Sequence, residues 1–381
     1  MRVMLSCGEA SGDLYAAALA RELRRRDPSI EIVGLGGDRL KAAGAQLIAD
    51  FSGLSVTGLT EAFRVIPRAY LTLRRLVADA RRHRPDVFVA IDFPDFNFRL
   101  MAALKRLGIP VVYYISPQLW AWRPGRMRTM QKLVDRVLVI FPFEEPLYRR
   151  HGVDVEFVGH PLIDLVRPRE SREAFLGARG LNPLAPTVAL LPGSRRNELE
   201  RIAPDMAAAV PLIRRRVPDA QFVVACAPHL DEALFAPFGR VAVPRPVLVY
   251  GATDDVLAAA DVVVTASGTA TVQAALHERP MVVVYRLSPL TYRLGKPFVK
   301  VETYSMVNLV AGTRVVPELI QDDFTPARVA EEVTGYLTNP QRHAQTSAAL
   351  HDIGVKLGGS GASGRAADAV LAVALRSSRE S

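Results

Sequence analysis

With 381 residues, 49% of them apolar, the chain is too long for one core and suited to two domains. Its charged fraction of 23% and lack of low-complexity stretches argue against disorder outside the last few residues, and two distant cysteines in apolar runs exclude a disulfide framework or a cysteine metal site. A formal charge of +9 favours anionic partners, a phosphorylated substrate or an acidic membrane surface. Nucleic acid is not expected, because no binding motif is recognised and aromatics are only 7%.

The chain opens on Met-Arg-Val-Met-Leu-Ser-Cys, too short an apolar stretch for a signal peptide, and it reads as a first strand. No run of about 18 apolar residues follows, so the expectation is a protein free in solution or lying on a membrane. Apolar runs at 3–6, 32–35, 87–91, 111–115, 137–140 and 155–158 are strand candidates, with helical patterns between most of them, for example 14–26 and 99–107. Continuous Val/Ile runs predict strands buried on both faces of a parallel sheet, and the alternation with helices predicts a doubly wound one. After a break rich in Pro, Arg and Gly the pattern restarts, with strands expected at 188–191, 222–226, 247–249, 262–265 and 281–284.

The fold class is therefore α/β, two Rossmann-like doubly wound parallel-sheet domains facing a central cleft. The expected bounds are 1–165, 166–340 and a helical tail over 341–381, with a linker near 164–186. Gly358-Gly359-Ser360-Gly361 interrupts the tail before a last helix over 362–375, free to dock on the first domain or on a partner. Between Arg64 and Arg84 seven arginines face one acid, Asp79, with Leu71, Leu73, Leu76 and Val77 among them. That segment is either a solvated helix face over a buried stripe or a basic amphipathic helix on anionic lipid.

Ligands of doubly wound sheets bind where strands end, so chemistry is sought there. After the first strand comes Gly8-Glu9-Ala10-Ser11-Gly12-Asp13. Ser11 or Asp13 is expected to cap the following helix, which leaves Glu9 unexplained. After 87–91 comes Asp92-Phe93-Pro94-Asp95-Phe96-Asn97. A carboxylate at the end of a buried strand suits a general base, and Asp92 is preferred to Asp95, which is expected to cap a helix. After 111–115, Trp120-Ala121-Trp122-Arg123 holds both tryptophans, as core or as a platform for a sugar or acyl chain beside a phosphate.

In the second half, Pro192-Gly193-Ser194-Arg195 stops an apolar run just before a helical pattern. Backbone N–H groups, a helix dipole and a guanidinium there suit one anion. Ser267-Gly268-Thr269 makes a second such turn, with Gln273 one helical turn on and Tyr285-Arg286 closing the next strand. Two phosphate-suited turns in one domain favour a nucleoside diphosphate. Asn308, among small and apolar residues, reads as a turn or as a buried amide orienting a ligand.

Taken together these motifs resemble the lipid-A-disaccharide synthases, glycosyltransferases of the two-Rossmann-domain (GT-B) type. The resemblance covers nearly the whole chain and rests on Gly8-Glu9-x-Ser11-Gly12-Asp13, Asp92-x-Pro94-Asp95-Phe96-Asn97, Ser116-Pro117-x-x-Trp120-Ala121-Trp122-Arg123, Phe157-x-Gly159-His160-Pro161, Leu191-Pro192-Gly193-Ser194-Arg195, Ser267-Gly268-Thr269-Ala270 and Asn308-Leu309-x-Ala311-Gly312. It implies transfer from UDP-2,3-diacylglucosamine to 2,3-diacylglucosamine 1-phosphate (lipid X), with inversion, giving a β-1,6-linked disaccharide 1-phosphate and UDP. It implies no cofactor and no metal. The family's critical aspartate, arginine and asparagine fall on Asp92, Arg195 and Asn308. Gln273 would meet the ribose, where the wider GT-B pattern commonly has a glutamate. The resemblance also implies a place in the cytoplasm on the inner face of the inner membrane, which favours membrane docking for the arginine-rich helix. It implies a possible homodimer by exchange of C-terminal segments. Competing readings are another GT-B activity, such as a UDP-GlcNAc 2-epimerase or a peptidoglycan glycosyltransferase, and a non-catalytic sugar-nucleotide or lipid sensor.

Overall fold

The computed structural model describes residues 1–54, 59–117, 124–242, 244–287 and 303–380, and within these the backbone alone for 59–65, 124 and 377–380. The continuous apolar runs become strands buried on both faces, because neither face of such a run has polar residues to give to water. The first sheet holds β1 (Arg2–Ser6), β2 (Glu31–Gly36), β3 (Gln46–Asp50), β4 (Val87–Ile91), β5 (Val111–Tyr114), β6 (Arg136–Val139) and β7 (Val155–Phe157). All are parallel, in the order β3-β2-β1-β4-β5-β6-β7. The second holds β8 (Thr187–Leu191), β9 (Gln221–Cys226), β10 (Val247–Tyr250), β11 (Val262–Ala266), β12 (Met281–Tyr285) and β13 (Glu318–Ile320). These too are parallel, in the order β10-β9-β8-β11-β12-β13.

Both orders are doubly wound. The chain starts at the centre of the sheet, builds outward to one edge, then returns to build toward the other. The reversal lies between β1 and β4 in one sheet and between β8 and β11 in the other. The crevice at the carboxyl ends of such a pair is where this architecture binds ligands.

Two compact units result, Met1–Pro161 with Leu357–Ser381, and Leu162–Lys356. The helix Pro340–Lys356 thus belongs to the second unit, while the helix Ala362–Glu380 belongs to the first. The stretch 164–186, expected as a linker, is a fixed part of the second unit. Arg172 forks onto both oxygens of Asp261 (3.0 and 2.9 Å) and reaches the carbonyls of Pro183, Ala185 and Ala259, while Phe175 and Leu176 are fully buried. Its polar composition hides one guanidinium that organises the segment.

The last helix lies along the helix Ala10–Arg26 and over β4, β5 and β6, burying Ala366, Ala367, Val370 and Val373. Arg26 pairs with Asp368 and donates to the Gly364 carbonyl (2.7 Å). Arg365 reaches back to the Val158 carbonyl (2.8 Å) and also holds Gly359 (2.9 Å). Here Gly159 and Gly358, both at positive φ, pass with no room between them: a Cβ on Gly358 would fall 3.1 Å from the Gly159 Cα.

Among the described residues no helix is long and apolar enough to cross a membrane. The helix Leu59–Arg82 buries Leu76 and Ala80 but leaves Ile66, Tyr70 and Leu71 more than half exposed. It therefore carries a second apolar stripe that the core does not use. Arg74 lies over the Tyr70 ring, and Arg74, Arg75, Arg81 and Arg82 are exposed.

Candidate active site

In the first unit the candidate residues follow β1 and β4. The helix after β1 begins at Ala10 with Glu9 as its N-cap residue in extended backbone and no side-chain cap. Ser11 and Asp13 therefore lie inside the first turn and do not cap it, contrary to the expectation. Asp13 is buried and accepts from the amides of Gly37 (2.8 Å), Arg39 (3.0 Å) and Leu40 (3.2 Å), so it caps the neighbouring helix Asp38–Ala42. Gly8 admits no side chain, since a Cβ would fall 2.2 Å from the Phe93 ring. The turns after β1 and β4 are thus packed directly on each other.

Asp92 stands at the end of β4, partly buried, at φ +47°, and Phe93 follows at φ +50°. Two successive left-handed residues without a glycine are costly and persist only when their surroundings hold them. Here the Asp92 carbonyl accepts from the Tyr113 hydroxyl (2.8 Å) and from Asn97 Nδ2 (2.8 Å). Asn97 is fully buried; its Oδ1 accepts from the Ser6 hydroxyl (2.7 Å), and its Nδ2 also reaches the Ser6 carbonyl (3.3 Å). One amide thereby ties β1 to the turn that aims Asp92. Phe93, not Asp95, is the N-cap residue of the helix Pro94–Lys105, and Asp95 lies in the first turn, exposed and paired with Arg126.

Ser116 follows β5, buried against Tyr148. Trp120, Trp122 and Arg123 lie outside the described residues. His160 is buried between the rings of Tyr15 and Phe141, and burial pushes its imidazole down to about 3. Cys7 and Cys226 are buried free thiols, both pushed up by burial, Cys226 to about 12.

In the second unit, Gly193 takes φ +121° and Arg195 is the N-cap residue of the helix Arg196–Arg216. Glu198, which sequence reasoning passed over, turns back onto this turn. Its Oε2 accepts from the Ser194 amide (3.3 Å) and its Oε1 meets Arg195 Nη1 (3.2 Å). A Cβ on Gly193 would fall 2.7 Å from Glu198 Oε2. The residue three before Glu198 is Arg195, not the Ser, Thr, Asp or Asn of a capping box, so the sequence carried no such signal. The Arg195 side chain keeps 42% of its surface exposed. Tyr285 stands within electrostatic reach: burial pushes its phenol up, Glu198 adds to this and Arg195 opposes it.

The other turn follows β11. Gly268, at φ +152°, is the N-cap residue of the helix Thr269–Leu276, with no side-chain cap. Gly268 and Thr269 are exposed and Ser267 is half-buried. An exposed helix N-terminus without a side-chain cap suits an anion. Gln273 donates to Asp254 (3.4 Å), which His277 also meets (3.3 Å). Arg286, just past β12, is paired with Asp205, donates to the Phe324 carbonyl and lies over the Phe324 ring.

Asn308 is buried with all of its amide engaged by protein. Nδ2 donates to the Val316 carbonyl (2.9 Å) and to Glu318 Oε1 (2.8 Å), and Oδ1 accepts from the amides of Val315 (2.8 Å) and Val316 (3.0 Å). It lies in the helix Met306–Ala311 and not in a turn, and its buried amide orients protein backbone and Glu318. Among the described residues no group of three or more His, Cys, Asp or Glu is placed to hold a metal ion.

Two doubly wound parallel sheets with chemistry-bearing turns at their reversal points define the GT-B class. Solved structures share that fold: the UDP-GlcNAc 2-epimerase of Neisseria meningitidis (TM-score 0.70, 12% identity, 98% of this chain and 100% of that one) and the calicheamicin glycosyltransferase CalG4 (TM-score 0.62, 18% identity, 98% of each). Sequence narrows the class. The family model for lipid-A-disaccharide synthetase matches residues 3–373. The lipid-A-disaccharide synthase of Geobacter metallireducens is 44% identical over 97% of this chain and 96% of its own length, and that of Myxococcus xanthus 45% identical over 97% of each. The chain belongs to the lipid-A-disaccharide synthase family and is a glycosyltransferase of lipid A biosynthesis.

Proposed function

We propose that this enzyme transfers a 2,3-diacylglucosaminyl group from UDP to the 6-hydroxyl of 2,3-diacylglucosamine 1-phosphate, giving the β-1,6-linked disaccharide 1-phosphate and UDP with inversion. Beyond family membership, one observation carries the reading. The two anion-suited turns follow β8 and β11, which are hydrogen-bonded neighbours. Adjacent strands lie about 4.8 Å apart, a separation that one diphosphate spans. Solved proteins of this fold include an epimerase bound to UDP-GlcNAc and a protein in complex with UDP and glucose.

Asp92 takes the proton of the acceptor hydroxyl as its oxygen attacks the anomeric carbon. The bond from that carbon to the diphosphate oxygen breaks, and its electron pair leaves with UDP. Arg195 and the backbone N–H groups at Gly193–Ser194 and Ser267–Thr269 oppose the charge that gathers there. Asp92 is partly buried at the end of β4 whereas Asp95 is exposed, which favours Asp92 as the base. Gln273 accepts from the ribose through its carbonyl, and Tyr285 supports the Arg195 turn. Glu9 and Ser11 serve the acceptor, with Trp120, Trp122 and Arg123 around its sugar, chains and phosphate.

Both substrates are lipids, and the exposed apolar stripe and arginines of the helix Leu59–Arg82 suit an anionic surface, the inner face of the inner membrane. A homodimer formed by exchange would make the contacts of helix Ala362–Glu380 with a partner's helix Ala10–Arg26. The test is an assay with both lipids. UDP release and a disaccharide product are expected, and Asp92→Ala should lose most turnover while still binding UDP. No UDP release would overturn the reaction, and full activity of the variant would overturn the role of Asp92.

A further inference from the structure

Asn308 has no donor or acceptor left to offer a ligand, so any part it takes in the reaction acts through what it holds. One of its partners, Glu318 at the start of β13, is a hub that nothing in the sequence singled out. Its Oε1 accepts from Asn308 Nδ2 (2.8 Å) and from the Ser305 amide (2.9 Å), and its Oε2 accepts from the Tyr304 amide (2.9 Å). Glu318 and Asn308 together thus lock residues 304–305 to the 315–318 segment. The far side of that locked backbone faces the donor turn, where the Tyr304 carbonyl accepts from the Ser267 hydroxyl (3.4 Å). The helix Met306–Ala311, which starts from the locked residues, packs on the helix Thr269–Leu276, whose N-terminus is the same turn.

We propose that Glu318 and Asn308 are positioning residues for the diphosphate, acting as one clamp that holds Tyr304 against Ser267 and so fixes the Ser267–Gly268–Thr269 turn. This rests on the reading that the turn takes the diphosphate of the donor. The clamp touches neither substrate. It sets where the backbone N–H groups of the turn point, and a displacement of about 1 Å in such groups costs on the order of 100-fold.

The sign of the effect separates the clamp from simple electrostatics. Glu318→Gln removes a negative charge near an anion site, which by charge alone would tighten binding of an anion. The new side-chain amide also presents an NH₂ where a carboxylate oxygen accepted a backbone N–H, so the clamp opens and binding weakens. Titration calorimetry of the full chain with UDP reads both terms, since a misfolded fraction lowers the stoichiometry whereas a misplaced turn raises Kd. Glu318→Gln is expected to raise Kd at least about tenfold at unchanged stoichiometry. Ser267→Ala, which removes one long hydrogen bond at a half-buried position, should raise it by a smaller factor. The double variant should be no weaker than Glu318→Gln alone, because both act on one chain of contacts. Should Glu318→Gln lose stoichiometry, Ser267→Ala decides alone. Wild-type UDP affinity in the folded variants, or tighter binding by Glu318→Gln, overturns the clamp. Failure of the wild-type protein to bind UDP overturns the donor reading itself.

Discussion

Asn97→Ala tests how the Asp92 turn is held. The substitution deletes three hydrogen bonds, from Ser6 Oγ and to the carbonyls of Ser6 and Asp92. At about 1 kcal/mol net each, about 3 kcal/mol is lost. Against this, the left-handed backbone stores about 1–3 kcal/mol at each of Asp92 and Phe93. With Asn97 present, two donors hold the Asp92 carbonyl; without it, the Tyr113 hydroxyl alone remains, worth about 1 kcal/mol. One such bond does not outweigh the strain, so the turn relaxes and returns part of the loss. The net destabilisation is then about 1–2 kcal/mol, a fall in Tm of about 2–8 °C for a unit of this size. Turnover falls further, on the order of 100-fold, because the carboxylate is no longer aimed. Thermal melts followed by circular dichroism, with UDP release assayed well below Tm, separate the two effects. A stable variant with turnover within about threefold of wild type would refute the claim that Asn97 aims Asp92.

His160 makes stability depend on pH. Its folded imidazole lies near 3 and its unfolded one near 6.5. The unfolded chain therefore takes up a proton first, and this contribution, complete above pH 6.5, is lost as pH falls toward 3, by up to about 1.4 kcal/mol per pH unit. Urea melts at pH 7 and pH 5 should show a smaller acid loss for His160→Phe than for wild type, and equal losses would refute the assignment. Reversing Arg74, Arg75, Arg81 and Arg82 to glutamate should abolish flotation with phosphatidylglycerol vesicles, at about 1 kcal/mol for each basic group near the surface. The wild-type interaction should weaken with salt, and unchanged partitioning of the variant would refute docking through this helix.

Most of the fold was legible because central strands of a parallel sheet must be apolar on both faces. Of the two strands without a signal, β3 and β13, each lies at a sheet edge. The first, Gln-Leu-Ile-Ala-Asp, is half-exposed along its length, and the second has only three residues. An edge strand needs fewer apolar positions and leaves a weaker trace. The strand-end turns were legible for a related reason: a Val run broken by Gly, Ser or Asp has one purpose in such a sheet. What could not be read was long-range polar pairing. Asp13 capping the helix Asp38–Ala42, Asn97 joining β1 to the Asp92 turn, and Arg172 gathering its own segment depend on partners set by tertiary packing. Glu198 is close in sequence to the turn it holds, but with Arg195 at the N-cap no capping box marks it.

The return of the chain at Leu357 to the unit it left at Pro161 has a consequence for biosynthesis. Translation makes most of the first unit before the second begins, yet the faces of β4, β5 and β6 and of the helix Ala10–Arg26 that the last helix covers stay bare until residues 362–380 emerge. The second unit, contiguous from Leu162 to Lys356, has all its strands and helices in hand earlier. The first unit to leave the ribosome is therefore the last to finish folding, and during that interval its alanine-rich seam is open to chaperones or to the tail of a neighbouring nascent chain.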